Sequence, residues 1–118
     1  MQRLWIILGS LAGFGAVAMA AFSAHWIADP TALRIVSSGV QMQGWHALAL
    51  LGIGLWVPNG GRLADAAGVA FAIGLVLFCG AVYSLGLASV SWGILAPTGG
   101  TLLMLGWLLL AASGLRAR

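Results

Sequence analysis

No charged residue falls between Arg3 and Asp29, between Arg34 and Arg62, or between Asp65 and Arg116. Uncharged intervals of that length leave few options. A small water-soluble domain has too little interior to hide so much apolar surface. Of the 118 residues, 62% are hydrophobic and 6% charged, where a soluble domain carries about a quarter charged residues. Hydrocarbon must therefore be the solvent for most of the chain, whose ~30 Å core is crossed by a helix of about 20 apolar residues.

Four segments meet that length: residues 4–24, 39–57, 66–88 and 97–115. The second stops at Pro58-Asn59-Gly60-Gly61, a strong turn signal. Pro97 is tolerated in the first turn of the fourth. Asp29-Pro30 reads as an N-cap with proline at the first helical position. The stretch that follows, 30–38, is either a short interfacial helix or an extension of the second span. Arg3, an apolar run and Ala18, Ala20 and Ala24 resemble a secretory signal, and we read the segment as a retained helix. The expected fold is thus an all-α membrane protein, one domain over residues 1–118, forming a bundle of four transmembrane helices.

Orientation follows from the arginines. With the N-terminus inside, Arg3, Arg62, Arg116 and Arg118 are cytoplasmic and only Arg34 is outside. The positive-inside rule favours this N-in/C-in arrangement. Five arginines in separate connections form no continuous basic patch, so no nucleic-acid partner is expected. Cys79 stands alone in an apolar run, as a small hydrophobe.

Eighteen glycines would weaken soluble helices. In lipid, small residues let helix backbones approach. Gly9 and Gly13 begin one ridge, continued by Ala12, Ala16, Ala20 and Ala24. Gly68, Ala72, Gly80, Ser84 and Ala88 form a second. Both ridges are expected to be buried, with Gly106 packing in the fourth helix. Residues 41–49 and 103–111 share Met, Gly, Trp, Leu and Ala in register, a trace of hairpin repetition. Trp5, Trp26, Trp56 and Trp92 fall near helix ends, where rings prefer the interface. Trp45 and Trp107 lie deeper, as packing residues.

One region breaks the apolar pattern. Met42, Gln43 and His46 share an arc of about 100° on one helix face, with Gln41 nearly opposite. His25 ends the first helix, Tyr83 and Ser84 come late in the third, and Thr98 and Thr101 open the fourth. Polar groups from all four helices are expected to meet in the outer leaflet, since intramembrane polar residues pair and face the bundle interior. The ordinary reading is interhelical hydrogen bonding. A second is a site for a lipid, quinone or haem, with His25 and His46 as the two axial ligands. A third is proton-coupled solute transport by an oligomer, weakened because Asp29 and Asp65 both fall in connections. No catalytic motif and no complete metal site is present, and no cofactor is expected under the first reading.

Val40-Gln41-x-Gln43-x-x-His46-Ala47-Leu48-Ala49-Leu50 resembles the most recognisable motif of the YgdD-like proteins, small four-helix membrane proteins of bacteria and mitochondria classed as a domain of unknown function. Gly13-Phe14-Gly15-Ala16 and His25 are similar to that family's first helix and the histidine after it. Phe78-x-Gly80-x-x-Tyr83 resembles its third-helix motif, and Gly93, Pro97, Gly99, Gly100, Gly106 and Trp107 its fourth. Cys79 and Ala81 replace two motif serines, and Met42 and Trp45 replace two tyrosines. The resemblance implies an inner-membrane, multi-pass protein and carries no activity. It leaves His25, Gln43, His46 and Tyr83 as the candidate polar cluster. The expected role is a non-enzymatic structural or accessory subunit, in contact with membrane lipids and with itself or a larger membrane complex. A reporter fused after Arg118 is expected to behave as cytoplasmic, and an active periplasmic phosphatase at that point would overturn the orientation.

Overall fold

In hydrocarbon every backbone N–H and C=O must find its partner within the protein, and a helix does this within one segment. The computed structural model describes residues 1–117; Arg118, counted above among the cytoplasmic arginines, lies outside them. Helix α1 spans Gln2–Trp26, α2 spans Pro30–Ala88 and α3 spans Leu95–Arg116. Among the described residues there is no strand. All three helices are long and apolar enough to cross a membrane.

The start of α2 decides the status of residues 30–38. The Asp29 carboxylate accepts from the Ala32 amide at 3.0 Å, and Pro30 occupies the first helical position. From there the helix runs without interruption into the second apolar segment. These residues therefore extend that helix and do not form a separate interfacial turn. At its far end, Ser89 adopts a left-handed conformation (φ 56°), and the amides of Ser89 and Val90 return to the carbonyls of Leu85 and Ser84.

A straight helix of 59 residues would be about 88 Å long, yet the longest dimension of the protein is 50 Å. The difference is resolved at Gly61. Its φ of 60° and ψ of −142° are non-helical and closed to residues carrying a Cβ. The helix passes through Pro58 and reverses at this glycine, so α2 consists of two arms, 30–60 and 62–88. Val36 lies against Gly86, and Gly39 lies against Tyr83. Both pairs are symmetric about residue 61, as an antiparallel hairpin requires.

The outer helices pack on this hairpin. In α1, Gly9 abuts the Ala47 carbonyl and Leu51, and Ile6 abuts Gly54, so α1 runs antiparallel to the first arm. In α3, Gly99 abuts the backbone of Phe78, and Gly106 abuts the Phe71 ring, so α3 runs antiparallel to the second arm. α1 and α3 each pack on α2 with no close backbone approach to each other. The buried centre comprises Trp5, Leu50, Ile53, Ala64, Ala67, Phe71, Leu75 and Leu103 among others.

Two expectations about packing are corrected. Trp5, assigned to the interface, is 1% exposed, and its indole donates to Asp65 at 2.7 Å. The small-residue ridges are buried only in part. In the first, Gly9 and Ala16 are buried, whereas Ala20 and Ala24 are exposed; in the second, Gly68 is buried under Trp5, whereas Gly80 and Ala88 are exposed. The reason is helical geometry. With 3.6 residues per turn, each four-residue step turns about 40° around the axis. A stripe kept at that spacing therefore walks off the interface after two or three steps. The residues that stay buried in the second arm, such as Ala67, Ala70, Phe71, Gly74 and Leu75, mix three- and four-residue steps.

Gly99 is the tightest of the crossings. A Cβ there would lie 2.5 Å from the Phe78 amide nitrogen and 2.8 Å from the Gly74 carbonyl, both backbone atoms that cannot swing aside. Gly99→Leu is expected to destabilise the detergent-solubilised protein by at least the roughly 1–3 kcal/mol typical of overpacking. Gly52→Leu, where a Cβ meets nothing within 4 Å, should leave the thermal midpoint nearly unchanged. Equal midpoints for the two variants would contradict the α2–α3 contact.

Candidate functional site

The polar side chains inside the bundle gather around Gln43 and His46, on the first arm of α2. Because residues 30–38 are already helical, the first arm of α2 runs over 30–60, and positions 41–46 lie around its middle instead of in the first turns of a helix beginning at 39. Gln43 bonds to Ala12, and Ala47 sits against Gly9 and Gly13. These α1 residues lie close to the middle of Gln2–Trp26. The cluster therefore lies level with the middle of α1.

His46 is 2% exposed. The Trp107 indole N–H donates to its Nε2 at 3.0 Å, and its Nδ1 lies 2.6 Å from the Met42 carbonyl. An indole nitrogen can only donate, so Nε2 must accept. The proton then sits on Nδ1 and is donated to Met42, which defines a neutral imidazole of one tautomer. Three rings enclose each other edge to face: His46 and Phe71 at 5.2 Å, His46 and Trp107 at 5.7 Å, and Phe71 and Trp107 at 5.0 Å between centroids. Such geometry brings the positive edge of one ring to the negative face of the next. This triad joins the first arm, the second arm and α3.

Gln43 makes the other junction. Its Oε1 accepts from the Tyr83 hydroxyl at 2.7 Å, and its Nε2 donates to the Ala12 carbonyl at 2.9 Å. One carboxamide thus ties α1 to both arms of α2. Room for it exists because Gly15 has no side chain: a Cβ there would stand 2.6 Å from Nε2. The Tyr83 ring lies over Gly39 in the same way, and the Cys79 thiol donates to the Gly39 carbonyl at 3.6 Å.

Of the four expected cluster residues, Gln43 and Tyr83 bond directly and His46 lies one turn further along. His25 does not join them. It is exposed in the last turn of α1, 12 residues beyond Gly13 and so roughly 18 Å along the helix from the level of His46. The expected axial pair is not assembled, and both ring nitrogens of His46 are already engaged. Thr98 and Thr101 also stay outside: they are exposed, and their hydroxyls return to the carbonyls of Ile94 and Pro97. Gln41 is exposed, as its angle implied. Trp45, assigned to packing, is 59% exposed. Among the described residues, no three His, Cys, Asp or Glu side chains gather to hold a metal ion.

Three tryptophan bonds were missed from the sequence. Trp107 reaches His46, Trp5 reaches Asp65, and Trp56 donates to the Ser113 hydroxyl at 2.9 Å, which in turn donates to the Leu110 carbonyl. Asp65, expected in a connection, belongs to the helical second arm. The available signal was the indole itself: a donor held in lipid needs an acceptor, and His46, Asp65 and Ser113 are among the few the chain offers.

Interhelical hydrogen bonds in membranes average about 0.6 kcal/mol and reach about 1.7. In a double-mutant cycle, Tyr83→Phe and Gln43→Leu are expected to couple within that range, read from the unfolding of the solubilised protein. Strict additivity would show that the bond between them does not contribute. Trp107→Phe keeps the ring contacts and removes only the donor to His46; its cost is expected to be similar.

The family model described as a protein of unknown function, DUF423, matches residues 19–100. A UPF0382 membrane protein of Haemophilus influenzae is 30% identical over 124 residues, covering 100% of this chain and 98% of that protein. A second, from Staphylococcus epidermidis, is 35% identical over 119 residues, covering 98% of each. The UPF0382 inner membrane protein YgdD of Escherichia coli is 29% identical over 124 residues, covering 99% of this chain and 93% of that protein. No solved structure matches. Matching over nearly its whole length, with helices apolar enough to span a bilayer, this chain belongs to the DUF423 family alongside the UPF0382 proteins and is a multi-pass inner-membrane protein.

Proposed function

We propose that the chain crosses the membrane four times, with both ends in the cytoplasm, and serves as a non-enzymatic structural or accessory subunit. The reversal at Gly61 supports two crossings by α2. The bonds Trp5–Asp65 and Trp56–Ser113 bring Arg3, Arg62 and Arg116 toward one end of the bundle, while Asp29 and Arg34 lie at the other. Three arginines at one end against one at the other favour that end as cytoplasmic.

The accessory reading rests on one observation above all: His46, the intramembrane group best suited to acid–base chemistry or ligation, has both ring nitrogens engaged within the protein. It is enclosed by aromatic rings, as a structural residue would be. The outward faces instead carry large apolar side chains, among them Phe14, Leu48, Leu55, Val76 and Leu108, each about 70% exposed or more. Such surfaces take lipid or another apolar helix, and the role is exercised through association with itself or a larger membrane complex.

Gentle extraction followed by native mass measurement is expected to give a species heavier than the 12.1 kDa chain by whole protein subunits. A stable monomer without partners across several mild detergents would refute the accessory role.

A further inference from the structure

A carboxamide has four hydrogen-bonding positions: two N–H groups and two lone pairs on oxygen. Gln43 uses one of each, toward Ala12 and Tyr83. One N–H and one lone pair remain, and Gln43 lines a groove of about 260 Å³ between α1 and the second arm of α2. The other walls are apolar or small, including Leu8, Ala12, Leu75, Val76 and Gly80, and no charged residue lines it. The Cys79 thiol at its edge already donates to Gly39. The occupant that fits is neutral, largely hydrocarbon, and carries an acceptor oxygen for the free Gln43 N–H.

Depth narrows the class. Gln43 is level with Ala12, two residues from the midpoint of Gln2–Trp26, and so roughly 3 Å from the centre of that helix. The ester carbonyls of a bilayer phospholipid lie at the edge of the ~30 Å hydrocarbon core, far from this level. A carbonyl at mid-span belongs to a molecule that dissolves in the hydrocarbon itself. We propose that this groove binds the headgroup of a lipid-soluble quinone. One quinone carbonyl accepts from Gln43 Nε2–H, the ring lies against Leu75 and Val76, and the isoprenoid tail leaves into the bilayer. No electron transfer is implied. This proposal does not rest on the accessory reading, since a monomer would present the same groove.

Gly80 supplies a clean test. It lines the groove, it is exposed, and a Cβ added there meets nothing within 4 Å. Gly80→Leu therefore blocks the space without disturbing the fold. The full chain is reconstituted in quinone-free phospholipid vesicles and illuminated with an azido-benzoquinone bearing a short isoprenoid tail. Labelled positions are then mapped by peptide mass analysis. Label is expected to concentrate on residues 8–12 and 75–80 and to be displaced by excess unlabelled quinone. It should fall at least tenfold in Gly80→Leu and remain unchanged in Gly52→Leu, which lies outside the groove. Helical circular dichroism, expected to be retained, reports the folding of each variant. Label spread over all helices, or persisting in a folded Gly80→Leu, would overturn the proposal. A phospholipid with a mid-chain diazirine forms the second arm. If it labels the same residues and quinone does not displace it, the groove holds acyl chain and the quinone assignment fails.

Discussion

Hydrocarbon cannot accept or donate a hydrogen bond, so each polar group carried into the bilayer must be answered from within the protein. Nearly every specific contact in this bundle follows from that condition. Among the described residues no buried side-chain nitrogen or oxygen lacks a partner. The Trp107 donor meets the His46 acceptor, the His46 proton meets the Met42 carbonyl, and the Tyr83 hydroxyl meets Gln43. Asp65, the one carboxylate within the second arm, receives the Trp5 indole. Hydrophobic burial cannot select between arrangements of apolar helices in lipid, because lipid tails are as apolar as leucine. A few directional bonds and the shape of the interfaces are left to do so.

Shape is set largely by glycine. Where backbones cross most closely, as Gly99 does over Phe78, a side chain would collide with main-chain atoms that have nowhere to go. Elsewhere the missing side chain makes room for a ring or an amide: Gly39 for Tyr83, Gly106 for Phe71, Gly15 for Gln43. Close packing and polar pairing are therefore one device. The glycines create the space in which the hydrogen-bonding side chains can reach another helix, and those bonds hold the helices at the distance the glycines allow. Gly61 acts differently, through its backbone dihedrals, by letting a long helical element fold back on itself.

The membrane class, the all-helical character, a reversal close to 58–61 and the family were legible in the chain. So was the membership of Gln43, His46 and Tyr83 in one polar region, because an amphipathic arc within an apolar helix has few explanations. The depth of that region was not, since it depended on whether 30–38 continued the second helix. The capping of α2 by Asp29 decided this and set the cluster around the middle of the first arm. The loss of His25 from the cluster follows from the same shift. The half-exposed ridges have another cause: a four-residue spacing marks small residues along one line of sequence but cannot say how far the line stays in contact as it winds around the helix.

The order of apolar stretches and charges was enough to require a helical membrane protein, because lipid admits few other ways to satisfy a backbone. Which indole meets which acceptor, and whether a given glycine faces a helix or open lipid, could not be read from the chain. Those outcomes depend on the rotation and depth of each helix relative to its neighbours. Rotation and depth are collective properties, fixed only when all the close contacts and hydrogen bonds are met at once.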